Sequence, residues 1–188
     1  MHDLIEETMS DNLEVNLFIG RLHEAFRASR YFQSVSRHHF RWDRRINITL
    51  VVISALSAAS WVAYKWLPAV AVFQHVPLFS GISLVVSEAL RQLIRKVYKH
   101  SQRAEAMRQV ANRLGVAFDQ NESVFVQILR GQLTEQDIVK AADNLSVAIN
   151  KAYGLLPKGM ILPPYPNYAQ DADRLADDYF CKTFNFTR

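Results

Sequence analysis

Between Arg45 and Lys65 the chain reads INITLVVISALSAASWVAY, residues 46–64, without one formal charge. A helix of this composition has to be surrounded by apolar atoms, either those of its own fold or those of a bilayer. The mean hydropathy of the whole chain, −0.06, conceals the choice because polar ends cancel an apolar middle. From Ile46 to Ser87 the only formally charged residue is Lys65, close to the midpoint. A hydrocarbon core about 30 Å thick takes roughly 20 helical residues to cross, so the stretch is long enough for two crossings and too long for one. The expectation is a two-span hairpin. Its rival is a buried helical pair in a soluble all-α protein, kept open by Ser54, Ser57, Ser60, Ser80, Ser83 and Ser87, which lower the hydrophobicity. Two charge-free segments in succession are hard to cover with the amphipathic helices that remain, and this favours the membrane.

The 22 basic and 18 acidic residues are unevenly spread. Residues 1–20 carry five acids and no Lys or Arg, residues 21–45 carry seven arginines against Glu24 and Asp43, and a second basic block runs from Glu88 to Arg113. The two basic blocks bracket the apolar middle. With Arg37, Arg41, Arg44 and Arg45 before the first span, and Arg91, Arg95, Lys96 and Lys99 after the second, the excess of positive charge predicts both termini in the cytoplasm. Trp42, Trp61, Tyr64 and Trp66 fall near span ends, where amphipathic aromatics favour the headgroup layer. The start of the second span stays open. Either a helix runs from about Leu67 with a kink at Pro77, which is slightly favoured, or it begins at Leu78 and draws Glu88 and Arg91 toward the bilayer, where ionisable groups need a partner or water.

At about 100° per residue, Asn47, Thr49, Ser54, Ser57 and Ser60 share one arc of the first span. In the second span Ser80, Ser83 and Ser87 repeat at helical spacing, and Arg91 and Arg95 continue the stripe. Small hydroxylated residues on a membrane helix pack against another helix, or they line a water-filled path in an oligomer. Asn47, Ser54, Ser57, Ser80, Ser83 and Ser87 are therefore candidates for pore lining or helix packing, and Glu88, Arg91 and Arg95 for a cytoplasmic mouth. Two helices enclose no pore alone, so a channel requires several copies.

The flanks read as helical. Residues 12–42 place Leu13, Leu17, Leu22, Phe26 and Phe32 at loosely helical spacing. The chain from Leu78 meets no proline until Pro157, which predicts that the second span continues without a break into a cytoplasmic helix through about Leu114. QNESVFVQIL is a shorter helix or a strand-like run, ended by Gly131. Thr134 with Asp137 three residues later predicts an N-cap for a helix to about Tyr153, closed by Gly154. LLPKGMILPPYPN is expected to be extended, and a last short helix covers about Tyr168 to Phe180. The resulting fold class is all-α, an integral membrane two-helix hairpin with long N-terminal and C-terminal cytoplasmic helices. Its segments are an N-terminal amphipathic helix over 1–45, the hairpin over 46–87, a stalk over 88–118 that continues the second span, and a C-terminal helical extension over 119–188.

Cys181 alone permits no intrachain disulfide and no cysteine-based zinc site. The N-terminus has acids where a secretory signal needs bases, so the apolar segments are expected to stay in the protein. Arg95 and His100 match the R-x4-H spacing of HEPN-type ribonucleases, but a juxtamembrane helix needs such residues for anionic headgroups anyway. His38 and His39 suggest a metal only weakly, since adjacent helical residues point about 100° apart, and interfacial basic side chains explain them better. Phosphate loops, an H-E-x-x-H pair and a nucleophile elbow are absent from the sequence. The expectation is a protein that is not an enzyme, with no metal and no cofactor. Nucleic acid is an unlikely partner, because topology alone demands basic blocks beside the spans.

The order of features is an amphipathic RLHEAFRASRYFQSVSRHHFRWDRR, a serine-rich span, a short exit, a second span, then RKVYKHSQRAEAMRQVANRLG. It resembles the SLATT family, the two-transmembrane effectors associated with bacterial nucleotide-signalling and related anti-phage defence systems. The likeness covers about Leu13 to Phe118, with Tyr31, Arg37, His38 and Arg41 before the hairpin; the segment after Phe118 departs from the short form of the family. The resemblance implies an oligomeric effector in the bacterial inner membrane, triggered by a sensor or regulatory protein of the same system, that makes the bilayer leaky and ends the infected cell. Two other readings remain: a membrane-tethered ribonuclease using Arg95 and His100, and a non-catalytic membrane adaptor that recruits partners through its C-terminal region.

Overall fold

The computed structural model describes residues 13–66, 76–97, 99–158 and 165–184, and those residues form five helices without a strand. They are α1 (Leu13–Trp66), α2 (Val76–Val97), α3 (His100–Leu129), α4 (Glu135–Tyr153) and α5 (Pro166–Phe184). α1 contains no proline and one glycine, Gly20, and it ends two residues before Pro68. α2 is described from Val76, with Pro77 in its first turn, a place that proline tolerates because its missing N–H would have had no intrahelical partner. Residues 67–75, which would hold the earlier start of the second span, lie outside the described residues.

The expected unbroken stalk is corrected. α2 stops at Val97, Lys99 adopts a left-handed φ of 43°, and α3 starts at His100, with Arg103 N–H donating to the Lys99 carbonyl at 2.9 Å. A non-glycine residue in the left-handed region terminates the helix as a C-terminal glycine would, and neither proline nor glycine marks the place in the sequence. α3 in turn runs through Gly115 and through QNESVFVQIL, which is helical. At Gly115 a Cβ would meet Ser29 Oγ at 3.4 Å, and Ser29 Oγ donates to the Ala111 carbonyl at 3.0 Å. Here glycine serves close helix approach and breaks nothing.

Contacts divide the chain into two units, Met1–Arg37 with Glu105–Arg188, and His38–Ala104. This differs from the segments 1–45, 46–87, 88–118 and 119–188, and the first unit's core gives the reason. α1 buries Phe18, Leu22, Phe26, Phe32 and Val35; α3 buries Met107, Val110, Leu114, Phe118 and Phe125. Both rows step by three or four residues, or by about two turns between Phe26 and Phe32 and between Phe118 and Phe125, so each forms a single apolar stripe. α4 adds Ile138, Ala142, Leu145, Ile149 and Ala152, and α5 adds Ala172, Ala176 and Phe180. Phe26 stacks on Tyr179 at 4.8 Å and meets Phe118 edge-on at 4.9 Å. On the rim, His23 Nε2 lies 3.1 Å from Asp177 Oδ1, and Arg27 Nη1 lies 3.1 Å from Asp173 Oδ1. The C-terminal region thus shares a core with the N-terminal helix.

The N-cap of α4 is as the spacing predicts. Thr134 Oγ1 accepts from Asp137 N–H, while Asp137 Oδ2 accepts from Thr134 N–H and from its hydroxyl, and Gly154 follows Tyr153. The last helix extends beyond Tyr168–Phe180 at both ends, and residues 159–164 of the proline-rich connector lie outside the described residues.

Two outcomes are expected from denaturation of the detergent-solubilised full chain. Phe125→Ala should cost about 3–5 kcal/mol, because the emptied site is walled by rings from two other helices, Phe18 of α1 and Phe180 and Phe184 of α5, that cannot all collapse into it. Thr134→Ala should cost about 1 kcal/mol at neutral pH. The hydrogen bonds from Thr134 hold the Asp137 carboxyl below its usual range. A depressed folded-state pKa stabilises above the ordinary carboxylate pKa and loses that stability as pH falls through the lowered value, so the gap between wild type and Thr134→Ala should narrow on acidification.

Candidate functional site

The second unit is built from the later part of α1 and from α2, and its polarity is inverted relative to a soluble fold. Ile48, Val51, Leu56, Trp61, Ile82 and Val85 are exposed, whereas Ser57, Ser80 and Ser87 are buried. Four hydroxyls of this unit find a partner on their own helix: Ser54 Oγ donates to the Leu50 carbonyl (2.9 Å), Ser57 to Ile53 (2.9 Å), Ser60 to Leu56 (2.8 Å) and Ser87 to Ser83 (2.7 Å). Bonding back to the carbonyl four residues earlier leaves the oxygen's lone pairs facing outward.

One of those lone pairs is used between the helices. Ser57 Oγ and Ser83 Oγ are 2.8 Å apart, and both contacts of Ser57 are satisfied together when it donates to the Ile53 carbonyl and accepts from Ser83. The two helices run in opposite directions here, because Asn47, ten residues before Ser57, shares a cleft with Arg91, eight residues after Ser83. That cleft, about 900 Å³, is lined by Asn47, Leu50, Val51, Ser54 and Ala55 of α1 and by Leu84, Ser87, Glu88 and Arg91 of α2. At its open end Arg91 Nη1 stands 3.8 Å from Glu88 Oε2, and Gln92 Nε2 donates to Glu88 Oε1 at 3.4 Å. Asn47 Nδ2 donates to Asp43 Oδ2 at 3.2 Å.

The structure thus brings Asn47, Ser54, Ser87, Glu88 and Arg91 to one cleft and pairs Ser57 with Ser83 beside it. Ser80 is buried further along α2. The backbone of Arg95 belongs to α2, but its side chain, like that of His100, lies outside the described residues. Leu50, Ala55 and Leu84 were not singled out from the sequence, and Val51, which helical spacing places on the arc opposite the serines, lines the cleft with them. The signal for Leu50 was the spacing 47, 50, 54, 57, a seam of alternating three and four steps that marks a helix packed along one partner. Arg41, Arg44 and Arg45 are exposed before the apolar segment, whereas His39 is buried and is no exposed interfacial base.

The first unit holds a groove of about 540 Å³ whose lining includes Phe26, Arg30, Asn112, Asp119, Glu122 and Tyr179. The Arg30 guanidinium lies 4.8 Å over the Phe26 ring. Burial, and then the Glu122 carboxylate that accepts its proton, push the Tyr179 hydroxyl up to about 12, so it stays protonated across the physiological range. Among the described residues no group of three or more His, Cys, Asp or Glu is arranged to hold a metal ion.

The family model described as SMODS and SLOG-associating 2TM effector domain family 4 matches residues 33–169. The matched region starts later than Leu13 and runs well past Phe118, so it takes in α4, which the likeness read from the residues left out. No curated protein and no solved structure matches the chain.

A double-mutant cycle on Ser57→Ala and Ser83→Ala, read by reversible unfolding in mixed detergent, should give a coupling of about 0.6 kcal/mol, the ordinary worth of an interhelical hydrogen bond in membrane proteins.

Proposed function

Because this chain belongs to the SLATT family 4 of SMODS and SLOG-associating two-transmembrane effector domains, we propose that it is an oligomeric effector that permeabilises the bacterial inner membrane in anti-phage defence. The observation that carries the reading is the apolar window of α1. It is long and apolar enough to cross a membrane, the one such helix among the described residues, and only 6 % of it is buried. A core helix of a soluble protein would be mostly covered. Half-exposed Leu, Ile and Val side chains each leave roughly 1 kcal/mol of burial free energy unrealised in water, and a contiguous apolar surface of this size marks a face that lipid or another protein covers. Lipid removes the penalty.

In the bilayer the pair becomes a hairpin with its second crossing in α2. Arg41, Arg44 and Arg45 stand at the same end of the pair as Arg91, which supports a cytoplasmic placement of that end and of both termini. Trp61, Lys65 and Trp66, all exposed, suit the opposite headgroup layer. Two spans do not enclose a path, so permeabilisation requires a homo-oligomer. The partner assigned to the first unit is the sensor or regulatory protein of the same defence system, for which the groove at Arg30, Asp119 and Glu122 offers a polar surface. The chain acts without catalysis of its own.

Three measurements test this. The protein should resist carbonate extraction from membranes, with tags at both termini shielded from protease in spheroplasts and a Gln74→Cys variant labelled by an impermeant thiol reagent from outside. Its expression should depolarise cells and admit propidium iodide. His100→Ala should leave that toxicity intact; loss of toxicity with membrane insertion unchanged would favour the ribonuclease reading, and insertion without any leakage would favour an adaptor.

A further inference from the structure

The pairing of Ser57 with Ser83 sets how the two spans stand against each other. Counting along both helices from that pair in opposite directions, Val52 comes level with Glu88, Thr49 with Arg91, and Arg45 with the backbone of Arg95. At about 1.5 Å per residue, Glu88 lies roughly 10 Å, Arg91 roughly 6 Å and Ser57 roughly 18 Å further along the span than Arg45. If Arg44 and Arg45 sit among the headgroups, then Ser57 is near the middle of a core about 30 Å thick, and both charges of the Glu88–Arg91 pair are at hydrocarbon depth.

Charges at that depth have to pair or meet water. Here the pair is loose, at 3.8 Å, and the second carboxylate oxygen receives only a 3.4 Å contact from Gln92. Both side chains are about half exposed, 57 % for Glu88 and 45 % for Arg91, and both line the cleft between the spans. The same cleft carries Asn47, Ser54 and Ser87, and its volume of about 900 Å³ is room for many waters. Just past the cleft the helices close, with Ser57 and Ser83 in hydrogen-bond contact and Ser80 buried.

We propose that this cleft is a water-filled half-path entered from the Arg45 end, hydrating Glu88 and Arg91 within the membrane, and that the Ser57–Ser83 hydrogen bond is the barrier at its inner end. Its ligands are water and small hydrated ions. The permeation route of each copy then follows the seam between its own two spans, a neighbouring copy walling the open side, and opening consists of parting the serine pair. The inference rests on the membrane-effector reading above and locates the route within it.

The test is cysteine accessibility in the full chain, in inside-out membrane vesicles, on a Cys181→Ser background, since Cys181 is an exposed thiol. The probe is the impermeant anion 2-sulfonatoethyl methanethiosulfonate. Ser54→Cys should react at least tenfold faster than Val85→Cys, whose position faces outward. Ser80→Cys, beyond the barrier, should be as slow as Val85→Cys and should become reactive when Ser57→Ala and Ser83→Ala are added. Equal slowness of Ser54→Cys and Val85→Cys would overturn the half-path. Fast reaction of Ser80→Cys with the serine pair intact would overturn the barrier. A protein that does not pellet with membranes defeats the membrane reading itself, whereas leaky cells with an unreactive cleft defeat this inference alone and send the route elsewhere.

Discussion

A serine hydroxyl that bonds back to the carbonyl four residues earlier is the device on which the apolar unit depends. An unpaired hydroxyl in apolar surroundings costs a few kcal/mol, and a span with several such groups would not persist in lipid. Ser54, Ser57, Ser60 and Ser87 each avoid that cost within their own helix. Because the bond consumes the proton and leaves the oxygen available, Ser57 remains able to accept from Ser83, and the two helices are held at close range by small side chains. Polar groups inside and apolar groups outside follow from this, as does the uncovered surface that sets the unit apart from a water-soluble domain.

The other unit is stabilised in the ordinary way, by rings. Phe26 touches Phe118, Tyr179 and Phe180, and Phe125 touches Phe18 and Phe184, so residues from α1, α3 and α5 share one aromatic cluster. Polar pairs at its edge, His23 with Asp177 and Arg27 with Asp173, orient α5 on α1 and are too exposed to contribute much stability. The Tyr179–Glu122 contact is of a different kind: it lies partly buried, and the raised pKa of the tyrosine keeps the donor proton in place.

Local chemistry was legible wherever it acts over a few residues. The charge-free run of residues 46–64, the Thr134–Asp137 capping box and the turn at Gly131, whose φ of 64° suits glycine, were all readable from the residues alone. The serine seam was visible as a periodicity, but its two uses, packing and lining, look the same in sequence. Only the 2.8 Å contact says that Ser57 and Ser83 pack on each other, and only the cleft says that Ser54 faces a space. The break at Lys99 was invisible, since nothing in RKVYKHSQ disfavours helix and a left-handed lysine is imposed by what lies on either side.

By itself, then, the sequence determined that the protein is helical, that one segment is long and apolar enough to cross a membrane, and where the basic residues flank it, because each of these properties depends on neighbours within a few turns of helix. Tertiary structure alone decided that α1 joins α3 and α5 in a common aromatic core, with Phe18, a hundred residues away in the chain, against Phe125. It also decided which serines meet and which stand open. Such choices turn on the fit of side chains from distant segments, which periodicity announces as a face and leaves without a partner.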